Sequence, residues 1–124
     1  MVEIDYAKWR EDLKNAINES KVRITFNLPP KNPAEQKAEQ SVVFLFGQIH
    51  DVIGFTDVQF NSHFPDCTAL WNGQNVSIEF EFDVAEFNTD HKHKDKPENL
   101  IIICWENKWK SCPYPVIELK RLYT

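Results

Sequence analysis

Phe64-Pro65-Asp66-Cys67-Thr68-Ala69-Leu70-Trp71, then Asn72-Gly73, then Gln74-Asn75-Val76-Ser77-Ile78-Glu79-Phe80-Glu81-Phe82-Asp83 is the stretch whose reading decides the fold. Asn-Gly between two alternating segments is a strong hairpin signal, because both residues tolerate the positive φ of a two-residue type I′ turn. With Asn72 and Gly73 as the loop, Trp71 faces Gln74, Ala69 faces Val76, Cys67 faces Ile78, and Asp66 comes opposite Glu79. The hairpin is thereby expected to set two carboxylates against each other.

Side chains alternate along a strand, so the register also sorts the hairpin's faces. Cys67, Ala69, Trp71, Val76, Ile78, Phe80 and Phe82 make an apolar side; Asp66, Thr68, Ser77, Glu79 and Glu81 make a polar one. Like charges directly opposite one another destabilise a sheet unless a cation or a proton lies between them. Two readings follow from this pattern: a divalent metal between the acids, or an ordinary wet face whose acids are simply solvated.

The chain around the hairpin has 124 residues and 13% aromatic side chains, enough for one well-filled core. No apolar run approaches the roughly 20 residues needed to span a bilayer, and the polar, acidic start is unlike a signal peptide. The expectations are a cytoplasmic protein with no membrane partner. Cys67, Cys104 and Cys112 are an odd number without a Cys-x-x-Cys pair, which argues against a disulfide framework. The net charge of -5 argues against nucleic-acid binding by bulk electrostatics. Residues 90 to 124 nevertheless hold 7 basic against 5 acidic groups, so a polyanion would be met from that end.

Before the hairpin, Tyr6, Trp9, Leu13, Ala16 and Ile17 recur at helical spacing, predicting a helix over 3–19, and Val22, Ile24 and Phe26 alternate as a short strand. After a proline-rich connector, Asn32 as N-cap, Pro33 and Glu35 start a second helix. Its stripe of Ala38, Val42, Leu45, Phe46, Ile49 and Ile53 ends at Gly54. Glu39 borders that stripe, as an inward carboxylate or as part of the N-terminal charge that suits the helix dipole. Phe55 to Phe60 reads as a strand with Val58 and Phe60 inward, and Pro65 predicts an extended lead into Asp66. Beyond Phe82 the chain is expected to leave the sheet, with a polar loop from Asn88 to Asn99. Leu100 to Trp105 reads as a strand buried on both faces, and Val116 to Leu119 as a last strand.

A helix with an inward glutamate, a strand, Pro-Asp at the start of a hairpin strand, Glu-x-Glu on its partner and then a buried strand resembles the PD-(D/E)XK nuclease superfamily, over roughly residues 33 to 105. The tail is similar to a group of small prokaryotic proteins with Phe-x-x-x-His-x-His before a Cys-Trp-Glu strand end, here Phe87, His91, His93, Cys104, Trp105 and Glu106. The resemblance implies an α/β (α+β) fold with a restriction endonuclease-like core: a mixed central sheet of about four to six strands flanked by helices. Residues 1–124 would form a single domain, with 1–30 an N-terminal helix and strand extension and 31–124 the nuclease-like core.

The function it implies is a metal-dependent nuclease, a hydrolase of DNA or RNA phosphodiesters, DNA foremost, using Mg²⁺ with Mn²⁺ as substitute. Asp66, Glu79 and Glu39 would be the metal ligands, with Asp66 and Glu79 also catalytic. The family's usual lysine position holds Glu81, which would take the base role; alternatively Lys92, Lys94 or Lys96 in the following loop replaces the lysine. His91, Lys92, His93 and Lys94 would bind substrate. A homodimer would supply the two active sites that cleavage of a duplex needs.

Two rival readings stand beside this one. His91, His93, Cys104 and Cys112 have the softness of zinc ligands, although the cysteine spacing is not that of a zinc knuckle and Cys104 ends an apolar strand, where cysteine behaves as a small hydrophobe. The other is a catalytically inactive nuclease-fold domain serving as a protein-interaction or defence-system component, for which Glu81 in place of lysine speaks.

Overall fold

The hairpin forms in the expected register: Trp71 pairs with Gln74, Ala69 with Val76 and Cys67 with Ile78, and Asn72 and Gly73 take φ of +50° and +85°. In the computed structural model, which describes residues 4–19, 37–90 and 95–123, this hairpin is the middle of a five-stranded sheet. Its strands are β1 (Phe55–Phe60), β2 (Cys67–Trp71), β3 (Gln74–Asp83), β4 (Leu100–Glu106) and β5 (Val116–Glu118), lying side by side in chain order. Pairing is antiparallel from β1 to β3 and parallel from β3 to β5. The described architecture is α+β, with a single mixed sheet and three helices: α1 (Tyr6–Asn18), α2 (Lys37–Ile49) and α3 (Val84–Asp90).

Helices α1 and α2 cover the apolar face. Asp5 caps α1 by accepting from the Lys8 amide at 3.0 Å, and the Tyr6 hydroxyl, donating to the Val116 carbonyl and accepting from the Glu118 amide, ties the start of that helix to β5. The predicted stripe of α2 is buried throughout, packed with Phe55, Ile78, Phe80, Ile101 and Ile103. Each such side chain withdrawn from water contributes on the order of 1.5–3 kcal/mol. Ile53 belongs to this core but not to the helix, which ends at Ile49; a turn carries the chain to Gly54 at φ +89°. The Gly54 carbonyl there accepts from the Asn72 amide at 3.0 Å. A Cβ at position 54 would come 2.5 Å from the Asn72 Oδ1, so this contact between the helix exit and the hairpin tip requires glycine. Trp71 reinforces it through its indole N–H to the Ile53 carbonyl.

Some expectations are corrected. Ile17 on α1 is exposed. Phe60 is 58% exposed rather than buried, and Val58 only half-buried; the β1–β2 register shifts between Thr56 and Gln59, where Asp57 takes φ +51°, and so pairs Phe60 with Cys67 and stacks it on Phe80. A bulge of this kind re-aims every side chain beyond it. The lead into Asp66 is a bend with a cis Phe64–Pro65 peptide, closed by Asn61, whose amide and side chain donate to the carbonyls of Asp66 and Pro65. The first residues of the loop expected from Asn88 belong to helix α3, which runs to Asp90, and β5 stops at Glu118, Leu119 opening a 3-10 turn. The strand proposed over Val22 to Phe26, the helix start at Asn32, Pro33 and Glu35, and His91, Lys92, His93 and Lys94 lie outside the described residues.

β4 is buried along its length as expected, between β3 and β5. Its Leu100, Ile102 and Cys104 point to the second face, where Val84 and Phe87 of α3 cover them, with Phe64, Trp109 and Tyr114 packed around. No described helix is long and apolar enough to cross a membrane.

Candidate functional site

β3 carries Ser77, Glu79, Glu81 and Asp83 in one row, on the same face as their β4 partners Leu100, Ile102, Cys104 and Glu106. Because α3 and the segment around Phe64 close over this face, the row is not a wet surface: Glu79 and Glu81 are 3% and 2% exposed. The solvated-face reading therefore fails for β3, and only Thr68 of the predicted polar set is fully open to solvent.

Asp66 and Glu79 meet just ahead of the start of β2 at Cys67. The Asp66 amide donates to Glu79 Oε1 at 3.1 Å, and the Phe80 amide donates to Asp66 Oδ2 at 2.9 Å. Each carboxylate is thus oriented by a backbone N–H of the other's strand. Burial, and after it the charge of Asp66, push the Glu79 carboxyl up from 4.5 to about 8, and the two acids are close enough to share a hydrogen bond when Glu79 holds its proton. Glu39, in the first turn of α2, adds a smaller push in the same direction. The neighbouring Cys67 thiol is raised to about 12, by burial and then by the charges of Asp66 and Glu79.

Asp66 and Glu79 are brought together as the register predicted, and Glu81 follows Glu79 by one side-chain repeat. Glu39 is near enough to act on Glu79 electrostatically, but it is exposed. Among the described residues no group of three or more His, Cys, Asp or Glu side chains is arranged to hold a metal ion. The three cysteines are free thiols; Cys104 donates to the Ile117 carbonyl inside the second apolar cluster, and Cys112 to the Tyr114 carbonyl. Lys96 lies over the Phe87 ring, 5.7 Å from its centroid.

Asp83 was missed as more than the end of a strand. Its Oδ1 accepts from the Ala85 amide at 3.0 Å and the Lys108 amide at 3.1 Å, capping α3 and holding the segment after β4. Two signals could have found it: Asp83 continues the period of Ser77, Glu79 and Glu81, and aspartate just ahead of a helix is a favoured cap. Around it stand Glu106, paired with Lys108 and Lys120 at 3.4 and 3.9 Å, and Glu118, which accepts from the Asn107 amide at 2.6 Å.

No protein-family model matches the chain, and comparison with curated proteins and with solved structures found no match.

Proposed function

We propose that this chain is a metal-dependent phosphodiesterase acting on nucleic acid, with Asp66 and Glu79 as the ligands of a divalent ion. The observation that carries the reading is the carboxylate pair itself: two acids oriented toward each other in a desolvated place, where both cannot ionise without a counter-charge. Mg²⁺ or Mn²⁺ fits such a donor set, because these ions take one or two carboxylates and complete their shell with waters and substrate phosphate oxygens. When bound, the ion would neutralise charge growing on the scissile phosphate and make water a stronger acid.

The chain's own residues do the rest. The Asp66 and Phe80 amides keep the two carboxylates from swinging, which fixes the angle at which a phosphate is met. Glu79, its carboxyl held up to about 8 by burial and Asp66, would have to give up its proton to serve as a ligand. Glu81, on the same face one repeat further and shielded from bulk water, accepts the proton of the attacking water at its carboxylate.

Calorimetric titration of chelator-stripped protein with Mn²⁺ tests the reading without a known substrate. Binding with release of a proton near pH 7, lost in Asp66→Asn, is expected, followed by cleavage in a screen of DNA and RNA forms. Binding that persists unchanged in Asp66→Asn would overturn it.

The inactive-domain reading keeps one observation of its own: Phe44 and Phe60 expose 55% and 58% of their surfaces, aromatic area of the kind a protein partner would cover. A pulldown partner lost in Phe60→Ser, from a protein that binds no metal, would favour it.

A further inference from the structure

Beside the acid pair lies an open surface of mixed polar and apolar side chains that the chemistry above leaves unused. Helix α3 covers the second face of the sheet over β3 and β4, whereas over β1, β2 and the start of β3 the same face forms a cleft of about 480 Å³, lined by Asp57, Gln59, Thr68, Leu70, Asn75 and Asn99 among others. The register ties this cleft to the acids. Gln59 pairs with Thr68, Thr68 with Ser77 and Leu70 with Asn75, so their side chains share the face of Glu79. Thr68 is two residues from Asp66, and Ser77 two from Glu79, a distance of roughly 7 Å along a strand.

The lining is chemically selective. Its polar groups are amides, a hydroxyl and one carboxylate, set beside the apolar Leu70, with no lysine or arginine. A phosphate placed there would meet the Asp57 carboxylate with no lysine or arginine to balance it, which disfavours the backbone of a nucleic acid in the cleft itself. Asn99 is already fixed, accepting from the Ser77 hydroxyl at 3.1 Å and donating to the Asn75 carbonyl at 3.2 Å. Among the described residues no hydrogen bond engages the side chains of Gln59, Thr68 or Asn75. Amides pair with adenine edges, and a carboxylate accepts from the exocyclic amine of cytosine. The volume lies in the range, roughly 300–1,000 Å³, of small organic ligands.

We propose that this cleft is a nucleobase subsite, taking the base of a nucleotide next to the scissile phosphate and preferring bases with an exocyclic amine. The substrate class follows: single-stranded nucleic acid, whose base edges are unpaired and can be turned into a pocket. The link to cleavage rests on the phosphodiesterase reading, while the base subsite stands on the cleft's own residues.

The test uses nucleosides, which carry no phosphate and need no metal. Amide chemical shifts of the ¹⁵N-labelled full chain are followed on titration with cytidine, adenosine and uridine. Cytidine and adenosine are expected to move Thr68, Leu70 and Asn75, with affinity about tenfold above uridine. Thr68→Val with Asn75→Ala should lower that affinity about tenfold while keeping a native spectrum, and Asp66→Asn should leave it unchanged. Equal affinity for uridine, or shifts confined to other surfaces, would overturn the subsite. Nucleoside binding in the cleft from a protein that neither binds Mn²⁺ nor cleaves would uphold the subsite and remove the phosphodiesterase reading. Mn²⁺-dependent cleavage indifferent to the cleft variants would do the reverse.

Discussion

One strand, β3, serves two acidic clusters that are built on opposite terms. At its end, Asp83 and its neighbours Glu106 and Glu118 are met by backbone amides and by Lys108 and Lys120. In its middle, Glu79 faces another carboxylate, and burial together with the charge of Asp66 raises it to about 8. The first cluster is complete as it stands and holds loops in place. On the reading proposed above, the second would take up a cation as its counter-charge. Burial alone does not mark a functional acid; what the protein supplies to balance it does.

The largest contrast is expected on removing one partner of the Asp66–Glu79 pair. Asp66→Asn and Glu79→Gln should each lower Mn²⁺ affinity by about a hundredfold or more, read by calorimetry, whereas Asp83→Asn, which keeps an acceptor oxygen, should leave it within about twofold. Equal losses in all three would erase the distinction between the clusters.

Stability should respond in the opposite sense. Asp83→Ala strands two amides that Asp83 now satisfies, for a cost of roughly 2–3 kcal/mol by urea denaturation. If the cost is near zero, the cap is not what holds α3.

The pH dependence separates the clusters again. Glu79 keeps its proton more tightly in the folded chain than in the unfolded one, so the folded state binds more protons between pH 4.5 and about 8. Its contribution is full below the lower value and is lost as pH rises through the upper one. Thermal denaturation should show the wild-type midpoint falling over that window. Glu79→Gln should flatten the fall and raise the midpoint at pH 8.5 by roughly 5 °C. A wild-type profile flat across the window would contradict the shared-proton arrangement.

Smallest of all is the expected effect of Lys108→Ala. Its ammonium is largely exposed, 3.4 Å from Glu106 and 3.9 Å from Asp83, and such pairs contribute about 0.2–1 kcal/mol. Since alanine keeps the backbone N–H that Asp83 accepts, a loss well above that range would shift the work from the amide to the charge.

The hairpin, its register and the stripe of α2 were legible because each rests on local rules: the positive φ of Asn-Gly, a period of two, a period near 3.6. The meeting of Asp66 with Glu79 followed from counting outward from Asn72-Gly73. What could not be read was who covers whom. Burial of Glu79 and Glu81 depends on Phe87, Trp109 and Tyr114, which arrive from later in the chain. The pairing of Phe60 with Cys67 depends on a bulge at Asp57 that no alternation announces. The cleft exists because β1 and β2 extend past the reach of α3, a matter of relative lengths that no motif records.

The change of pairing direction across β3 has a kinetic consequence. Toward β2 it is joined by a two-residue turn, a contact that forms on the order of 1–10 μs; toward β4 it must wait for the longer crossover through α3. Asp66 and Glu79 therefore meet while still in water, where their repulsion is weak, and lose that water only when the crossover closes. Proton uptake belongs to this late step, so the refolding rate should slow as the pH is raised toward 8, even though the hairpin that brings the acids together forms as fast as before.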